Sequence, residues 1–177
     1  MTLTDTAKRA GTPGPRVVVI GSSFAGLTAA LEARRLLGDE ARVTVLDPRP
    51  DFTFIPSLIW VPFGTRQPED ITFPLAPLYA KRGICFVAEA AVGIDLDRGV
   101  VTSPSGEHPY DRLVVATGPR LAFERVPGLG PVSGHTQPVR TLAHALMRRD
   151  ACATHAAAPV YTTYAPAEHA RRHRGAL

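Results

Sequence analysis

Two glycines, Gly21 and Gly26, follow a β-branched run at residues 17–20 and precede a segment with helical periodicity. A glycine-rich turn between a strand and a helix gathers backbone N–H groups at a helix N-terminus, where an anion such as pyrophosphate binds. In the GxGxxG pattern the middle glycine lets the pyrophosphate approach the backbone. Here Ser23 holds that position. Because serine is small and its hydroxyl can donate to a phosphate oxygen, we expect weakened binding at this loop, not its loss.

An acidic residue supports this interpretation of the loop. Asp47 ends the next apolar run, at residues 42–46, about 20 residues after the loop, where a ribose hydroxyl is held in dinucleotide-binding folds. The apolar residues Leu27, Ala30 and Leu31 recur at helical spacing, and Gly38 is suited to end that helix. The alternative is an ordinary strand–helix turn with a surface aspartate, and it is disfavoured because strand, loop, helix and acid occur together.

The remaining patterns predict an α/β fold with a β-hairpin crossover. We expect a short helix at residues 73–81, a strand at 84–87, and a hairpin around residues 97–99. A last buried strand is predicted at residues 112–116, and a helix at 141–149. The uncharged run 52–65 is too short to span a bilayer, and its prolines disfavour a helix.

Composition limits the classes of function. Apolar residues make up 45% of the 177 residues, enough for a core, and the net charge is +4. Much of the basic excess lies near the C-terminus, so no nucleic-acid partner is predicted. Cys85 and Cys152 stand far apart and are interpreted as buried or inert thiols of a cytoplasmic protein. His169 and His173 lack a nearby third ligand, so no metal site is predicted.

The same patterns predict three segments. Residues 1–15 form a flexible arm, residues 16–150 a dinucleotide-binding domain, and residues 151–177 an atypical, disordered tail. The abrupt change to Ala, Pro, His and Arg after residue 150 suggests a frameshift or early stop. Translation of the downstream DNA in the other frames tests this hypothesis.

Four stretches, FIPSLIWVPFG, EDITFPL, KRGICFVAEA and YDRLVVATGPRLAFERVPG, together resemble sulfide:quinone oxidoreductases. These are FAD-dependent enzymes of the pyridine nucleotide-disulfide oxidoreductase family, related to type II NADH dehydrogenases, and they act at a membrane surface. The resemblance runs from about residue 16 to about residue 145 and covers only the family's N-terminal part. It implies a Rossmann-like FAD-binding domain, incomplete at its C-terminus. The resemblance thus implies that residues 16–150 are the N-terminal half of an FAD/NAD(P)-binding domain.

The resemblance also implies which residues bind FAD. In this resemblance the loop of residues 21–26 holds the pyrophosphate, and Asp47 and Pro48 lie by the adenosine. Ala91 lies on a strand near the adenine. Thr117 and Gly118 close the other side, and Ile55 and Pro56 lie near the flavin. The cofactor-binding residues are therefore predicted to be Gly21, Ser22, Ser23, Phe24, Ala25, Gly26, Asp47, Pro48, Ile55, Pro56, Ala91, Thr117 and Gly118.

No catalytic residue is predicted. The family's first redox cysteine aligns with Arg140, which cannot form a thiolate, and we expect the second cysteine and the other half of the enzyme to be absent. The chain is therefore expected to be inactive alone, and whether it is an enzyme is left open. The alternatives are part of a type II NADH:quinone reductase-like flavoprotein and a non-catalytic nucleotide-binding module. The implied partners are FAD, a quinone, the inner membrane surface, and a chain supplying the other half or a second copy.

Overall fold

The computed structural model describes residues 14–130 and 138–154. These residues form two compact units: a larger one of residues 14–53 and 72–120, and a smaller one of residues 54–71, 121–130 and 138–154. The predictions for the N-terminal arm before residue 14 and for residues 155–177, including both tail histidines, lie outside the described residues.

The larger unit contains the predicted βαβ unit, and within the described residues it has nine strands and two helices. Its elements in chain order are β1 (Arg16–Ile20), α1 (Phe24–Leu37), β2 (Arg42–Leu46), β3 (Asp51–Thr53), β4 (Thr72–Pro74), α2 (Leu75–Ala80), β5 (Cys85–Val87), β6 (Gly93–Asp95), β7 (Val100–Ser103), β8 (Gly106–Pro109) and β9 (Arg112–Val115).

A parallel sheet with the order β5-β2-β1-β9 is the centre of this unit. Strands β1 and β2 are buried on both faces, as a continuous β-branched run predicts. Val17 and Val19 pack with α1 and α2, whereas Val18 and Ile20 pack with Val101 of the hairpin. The alternation of side chains along β1 therefore joins two apolar clusters through one strand.

Strand β9 departs from its prediction. It was expected to be buried, but Leu113 and Val114 are only half-buried, and 58% of Val115 is exposed. The reason is its position, because β9 pairs with β1 alone and forms the edge of the sheet. Of the two alternatives given for Cys85, a buried or an inert thiol, burial is excluded, since the residue is exposed at the start of the opposite edge strand β5. That the thiol is inert stays a prediction.

Two smaller antiparallel sheets complete the larger unit. The predicted hairpin around residues 97–99 is present as β6 and β7, and β8 extends it into a three-stranded meander. Strands β3 and β4 form a ribbon in which the rings of Phe52 and Phe73 stack at 4.8 Å. Helix α2 therefore begins at Leu75, two residues later than predicted, because Phe73 and Pro74 belong to β4.

The smaller unit is built from short helices. Three are 3-10 helices (Ile55–Trp60, Pro68–Asp70 and Phe123–Arg125), and α3 (Leu142–Thr154) extends five residues beyond the predicted end. Its apolar core contains Leu58, Val61, Ile71 and Ala145. Within the described parts of both units, no helix is long and apolar enough to cross a membrane.

Candidate functional site

The loop between β1 and α1 requires its two glycines. Gly21 has a φ of +96°, and a Cβ at this residue would overlap the carbonyl of Ala116. A Cβ at Gly26 would overlap the carbonyl oxygen of Gly21. The first glycine thus allows the left-handed turn, and the third lets α1 start directly against the loop, as the sequence predicts.

The start of α1 is suited to a bound anion. Ser23 is the N-cap residue, but its side chain makes no capping hydrogen bond, and the first turn of the helix contains no acidic residue. The first backbone N–H groups of a helix have no intrahelical partner and carry the positive end of its dipole. The cradle left by the two glycines therefore fits a phosphate group, with Ser23, Phe24, Ala25 and Gly26 at the helix start.

Ser22 is turned into the protein and does not line the pocket described below. Ser22 is 2% exposed, and its hydroxyl lies 2.6 Å from the hydroxyl of Tyr79 on α2. Its backbone N–H donates to Oδ2 of Asp47 at 2.6 Å. The loop is thereby tied to α2 and to the end of β2, so Ser22 shapes the loop.

Asp47 is buried, with 2% of the residue exposed, and is bound from both sides. Arg49 donates its backbone N–H and its Nε to Oδ1 at 2.9 and 3.0 Å, and its Nη2 to Oδ2 at 2.8 Å. Burial raises the pKa of this carboxyl, but the hydrogen bonds from Arg49 and Ser22 together lower it by more than burial raises it. The net pKa therefore lies below the ordinary value. Asp47 is therefore a carboxylate at neutral pH.

A pocket of about 290 Å³ lies beside this carboxylate. Five of the predicted cofactor residues line it, namely Gly21, Asp47, Pro48, Ala91 and Thr117, together with Ile20, Leu46, Arg49 and Ala90. This volume lies just below the roughly 300–1,000 Å³ of typical ligand pockets and suits one part of a dinucleotide. Gly118 is exposed with a φ of +72° and does not line the pocket.

Ala91 reaches the pocket from a loop and not from a strand. The sequence placed it on the strand after Val87, but β5 ends at Val87 and β6 begins only at Gly93. Glu89 holds this loop by accepting hydrogen bonds from the Ser103 hydroxyl at 2.6 Å and from the Ser105 backbone N–H at 2.9 Å. The Ser103 hydrogen bond is the main reason why the pKa of Glu89 is lowered.

Ile55 and Pro56 lie in the smaller unit, where they begin the first 3-10 helix. Ile55 is 40% exposed. Their predicted place beside the flavin stays a prediction. Arg140, at the position aligned with a redox cysteine, is exposed just before α3.

Sequence reasoning missed five residues of the larger unit's site. Four line the pocket (Ile20, Leu46, Arg49 and Ala90), and the fifth is Tyr79, the partner of Ser22. Arg49 stands two residues after the predicted ribose-binding acid, and that spacing could have indicated an Asx-type contact to its own chain. Ala90 adjoins a predicted site residue. Tyr79 gives no such signal, because it stands 57 residues from its partner Ser22.

Replacing Tyr79 by phenylalanine should lower the free energy of unfolding by about 1 kcal/mol, because the buried Ser22 hydroxyl would lose its partner. Burial raises the pKa of Tyr79, so its hydroxyl is protonated and available to this hydrogen bond at neutral pH. Urea unfolding of Tyr79→Phe, Ser22→Ala and the double variant measures the coupling. Additive losses in the double variant would contradict a direct interaction.

Comparison with known proteins places these observations in a family. The model of the family described as pyridine nucleotide-disulphide oxidoreductase matches residues 15–155. The sulfide-quinone reductase of Aquifex aeolicus is 44% identical over 108 residues, which are 60% of this chain and 25% of that protein. An NADH dehydrogenase-like protein of Mycobacterium tuberculosis is 38% identical over 119 residues, which are 64% of this chain and 29% of that protein.

The fold agrees with these matches. The X-ray structure of the Aquifex aeolicus sulfide:quinone oxidoreductase superposes with a TM-score of 0.74 and 37% identity, over 82% of this chain and 33% of that one. The chain thus spans a quarter to a third of the length of these relatives. The predicted Rossmann-like α/β fold is confirmed, and FAD is the cofactor expected for proteins of this type. With residues 15–155 matched by its model, the chain belongs to the pyridine nucleotide-disulphide oxidoreductase family.

Proposed function

We propose that this chain binds the ADP part of FAD at the β1–α1 loop and in the adjoining pocket of the larger unit. The observation that carries the proposal is the pair of glycines, since neither Gly21 nor Gly26 has room for a Cβ and both shape an anion-binding helix start. Asp47, lining the pocket beside the loop, supplies the acid that this type of site uses for a ribose.

The pocket walls support an adenosine end for this ligand. Apart from Asp47, Arg49 and Thr117, the lining is apolar, and it includes the small residues Ala90 and Ala91 on the loop after β5. A flat heteroaromatic ring is compatible with such walls, and the charged pair provides polar contacts at one side. Ile55 and Pro56 remain assigned to the flavin, and Gly118 to the side of the cofactor opposite Ala91, on the resemblance alone.

The reaction that we propose is electron transfer of the sulfide:quinone type, in which two electrons pass from sulfide through FAD to a quinone. The support is the 44% identity to a protein named sulfide-quinone reductase. FAD supplies the two-electron redox chemistry when bound. This chain's residues bind and orient it, and the exposed Arg140 cannot carry a persulfide. We therefore propose that the described residues alone do not oxidise sulfide, and that action at a membrane surface belongs to the longer relatives.

A second candidate is a role in NADH:quinone reduction. It is favoured by Arg140, because such a reaction needs no cysteine at that position, and by the 38% identity to an NADH dehydrogenase-like protein. A third possibility, a non-catalytic nucleotide-binding module, uses the same pocket. Bleaching of a bound flavin by NADH would favour the second candidate, and bleaching by sulfide would contradict the proposal that the described residues alone do not oxidise sulfide. A bound flavin that neither donor bleaches agrees with the first and the third.

The visible spectrum after incubation with FAD and desalting tests cofactor binding. The wild-type chain should retain a flavin band, and Ala90→Trp should reduce the retained flavin at least about tenfold by filling the pocket. Ala88→Trp is the matched control, because Ala88 is exposed on the same loop but does not line the pocket. Equal retention by Ala90→Trp and Ala88→Trp would place the cofactor elsewhere, and a colourless wild-type chain would contradict the proposal.

A further inference from the structure

The carboxylate of Asp47 already has a full set of hydrogen-bond donors. A carboxylate offers about four acceptor positions, two on each oxygen. Oδ1 accepts the backbone N–H and Nε of Arg49, and Oδ2 accepts the backbone N–H of Ser22 and Nη2 of Arg49. The acid that should receive ribose hydroxyls therefore has no acceptor position left for them.

These four donors differ in how easily they can leave. The two backbone N–H groups belong to the buried turn at Ser22 and to the chain just after β2, so they are fixed by the backbone. The two guanidinium donors belong to a side chain that is 61% exposed. Only the guanidinium can withdraw without rebuilding the loop.

Both members of this pair line the pocket, so the exchange can take place where a nucleoside would lie. We propose that the Arg49 guanidinium competes with the ribose hydroxyls of a bound nucleotide for Asp47, and that Arg49 therefore sets how strongly the site selects for ribose. The inference rests on the proposed nucleotide binding at this pocket. A ribose diol that displaces the guanidinium replaces two hydrogen bonds between oppositely charged groups by two in which only the carboxylate is charged, so the diol contributes little in the wild-type chain.

The test compares two nucleotides that carry the same phosphates, ADP and 2′,3′-dideoxy-ADP. Isothermal titration calorimetry on the full chain gives the ratio of their dissociation constants for the wild type and for Arg49→Met. Because both ligands have the same charge, any attraction of Arg49 for the phosphates cancels in the ratio. We expect a ratio near one for the wild type and a preference for ADP that is roughly fivefold to tenfold greater in Arg49→Met, where two acceptor positions become free.

Two further variants keep the result decisive. Arg42→Met removes the same charge from the exposed start of β2, at the opposite end of the strand, and should leave the ratio unchanged. Arg49→Lys retains the charge but cannot form the paired hydrogen bonds, so we expect it to raise the preference for ADP by less than Arg49→Met does. It serves as the test if Arg49→Met does not fold. An unchanged ratio in both Arg49 variants, or a weaker preference for ADP, overturns the inference alone. A wild type and variants that bind neither nucleotide overturn the proposed nucleotide binding and the inference with it.

Discussion

Replacing Gly21 by alanine should lower the free energy of unfolding by about 3 kcal/mol, the sum of a left-handed backbone penalty and a steric clash. The residue has a φ of +96°, a conformation that alanine adopts only at a cost. Its Cβ would also overlap the carbonyl of Ala116, and backbone of the adjoining strand end cannot rotate away as a side chain would. Urea unfolding of the full chain without nucleotide measures the loss.

Gly38 provides the matched control, because it separates the two causes. It also has a positive φ, +69°, at the end of α1, but nothing lies within 4 Å of a Cβ built there. With a ψ of −167°, Gly38 has a conformation that essentially only glycine adopts, so Gly38→Ala should cost only the backbone part, about 2 kcal/mol, and less than Gly21→Ala. Losses of equal size at both glycines would contradict the clash and would mean that the turn after β9 moves freely.

The parts of the fold that follow from local patterns could be predicted from the sequence. The sequence predicts β1, α1 and β2 at nearly their observed bounds. The signals are a β-branched run, a glycine turn, a helical period and an acidic residue. The hairpin of β6 and β7 follows in the same way from its turn residues. In each case the determining contacts lie within a few residues of one another.

Features that depend on distant neighbours could not be predicted. The exposure of Val115 follows from the absence of a strand beyond β9 in the described sheet. The run RLVVA itself does not indicate whether one or two strands pair with it. The three-residue strands β3 and β4 pair across 18 intervening residues, too short for a periodic signal. The Ser22–Tyr79 contact could not be predicted, because its two residues stand 57 positions apart and the directions of their side chains select it.

Replacing Asp47 by asparagine should lower the free energy of unfolding at pH 7 by about 2 kcal/mol, allowing for the screening of the exposed guanidinium. An amide has one acceptor oxygen and presents an N–H₂ group in place of the other. At least one of the donors from Ser22 and Arg49 would then face another donor in a buried position. Asp51→Asn, at an exposed carboxyl that starts β3, should change stability by less than about 0.5 kcal/mol.

The pH dependence of this loss distinguishes the carboxylate's charge from its shape. The pKa of Asp47 is lower in the folded protein than its ordinary value of 3.8, so its stabilisation is complete above that value and is lost as the pH falls through the folded pKa. The gap in unfolding free energy between the wild type and Asp47→Asn should therefore begin to narrow below about pH 4 and should close as the pH falls through the folded pKa. Asp111, whose pKa is lowered to about 2 chiefly by its side-chain hydrogen bond with Arg16, is present in both proteins and cancels in the difference. A gap that persists unchanged to acidic pH would mean that asparagine disturbs packing, and that the charge of Asp47 does not hold the loop.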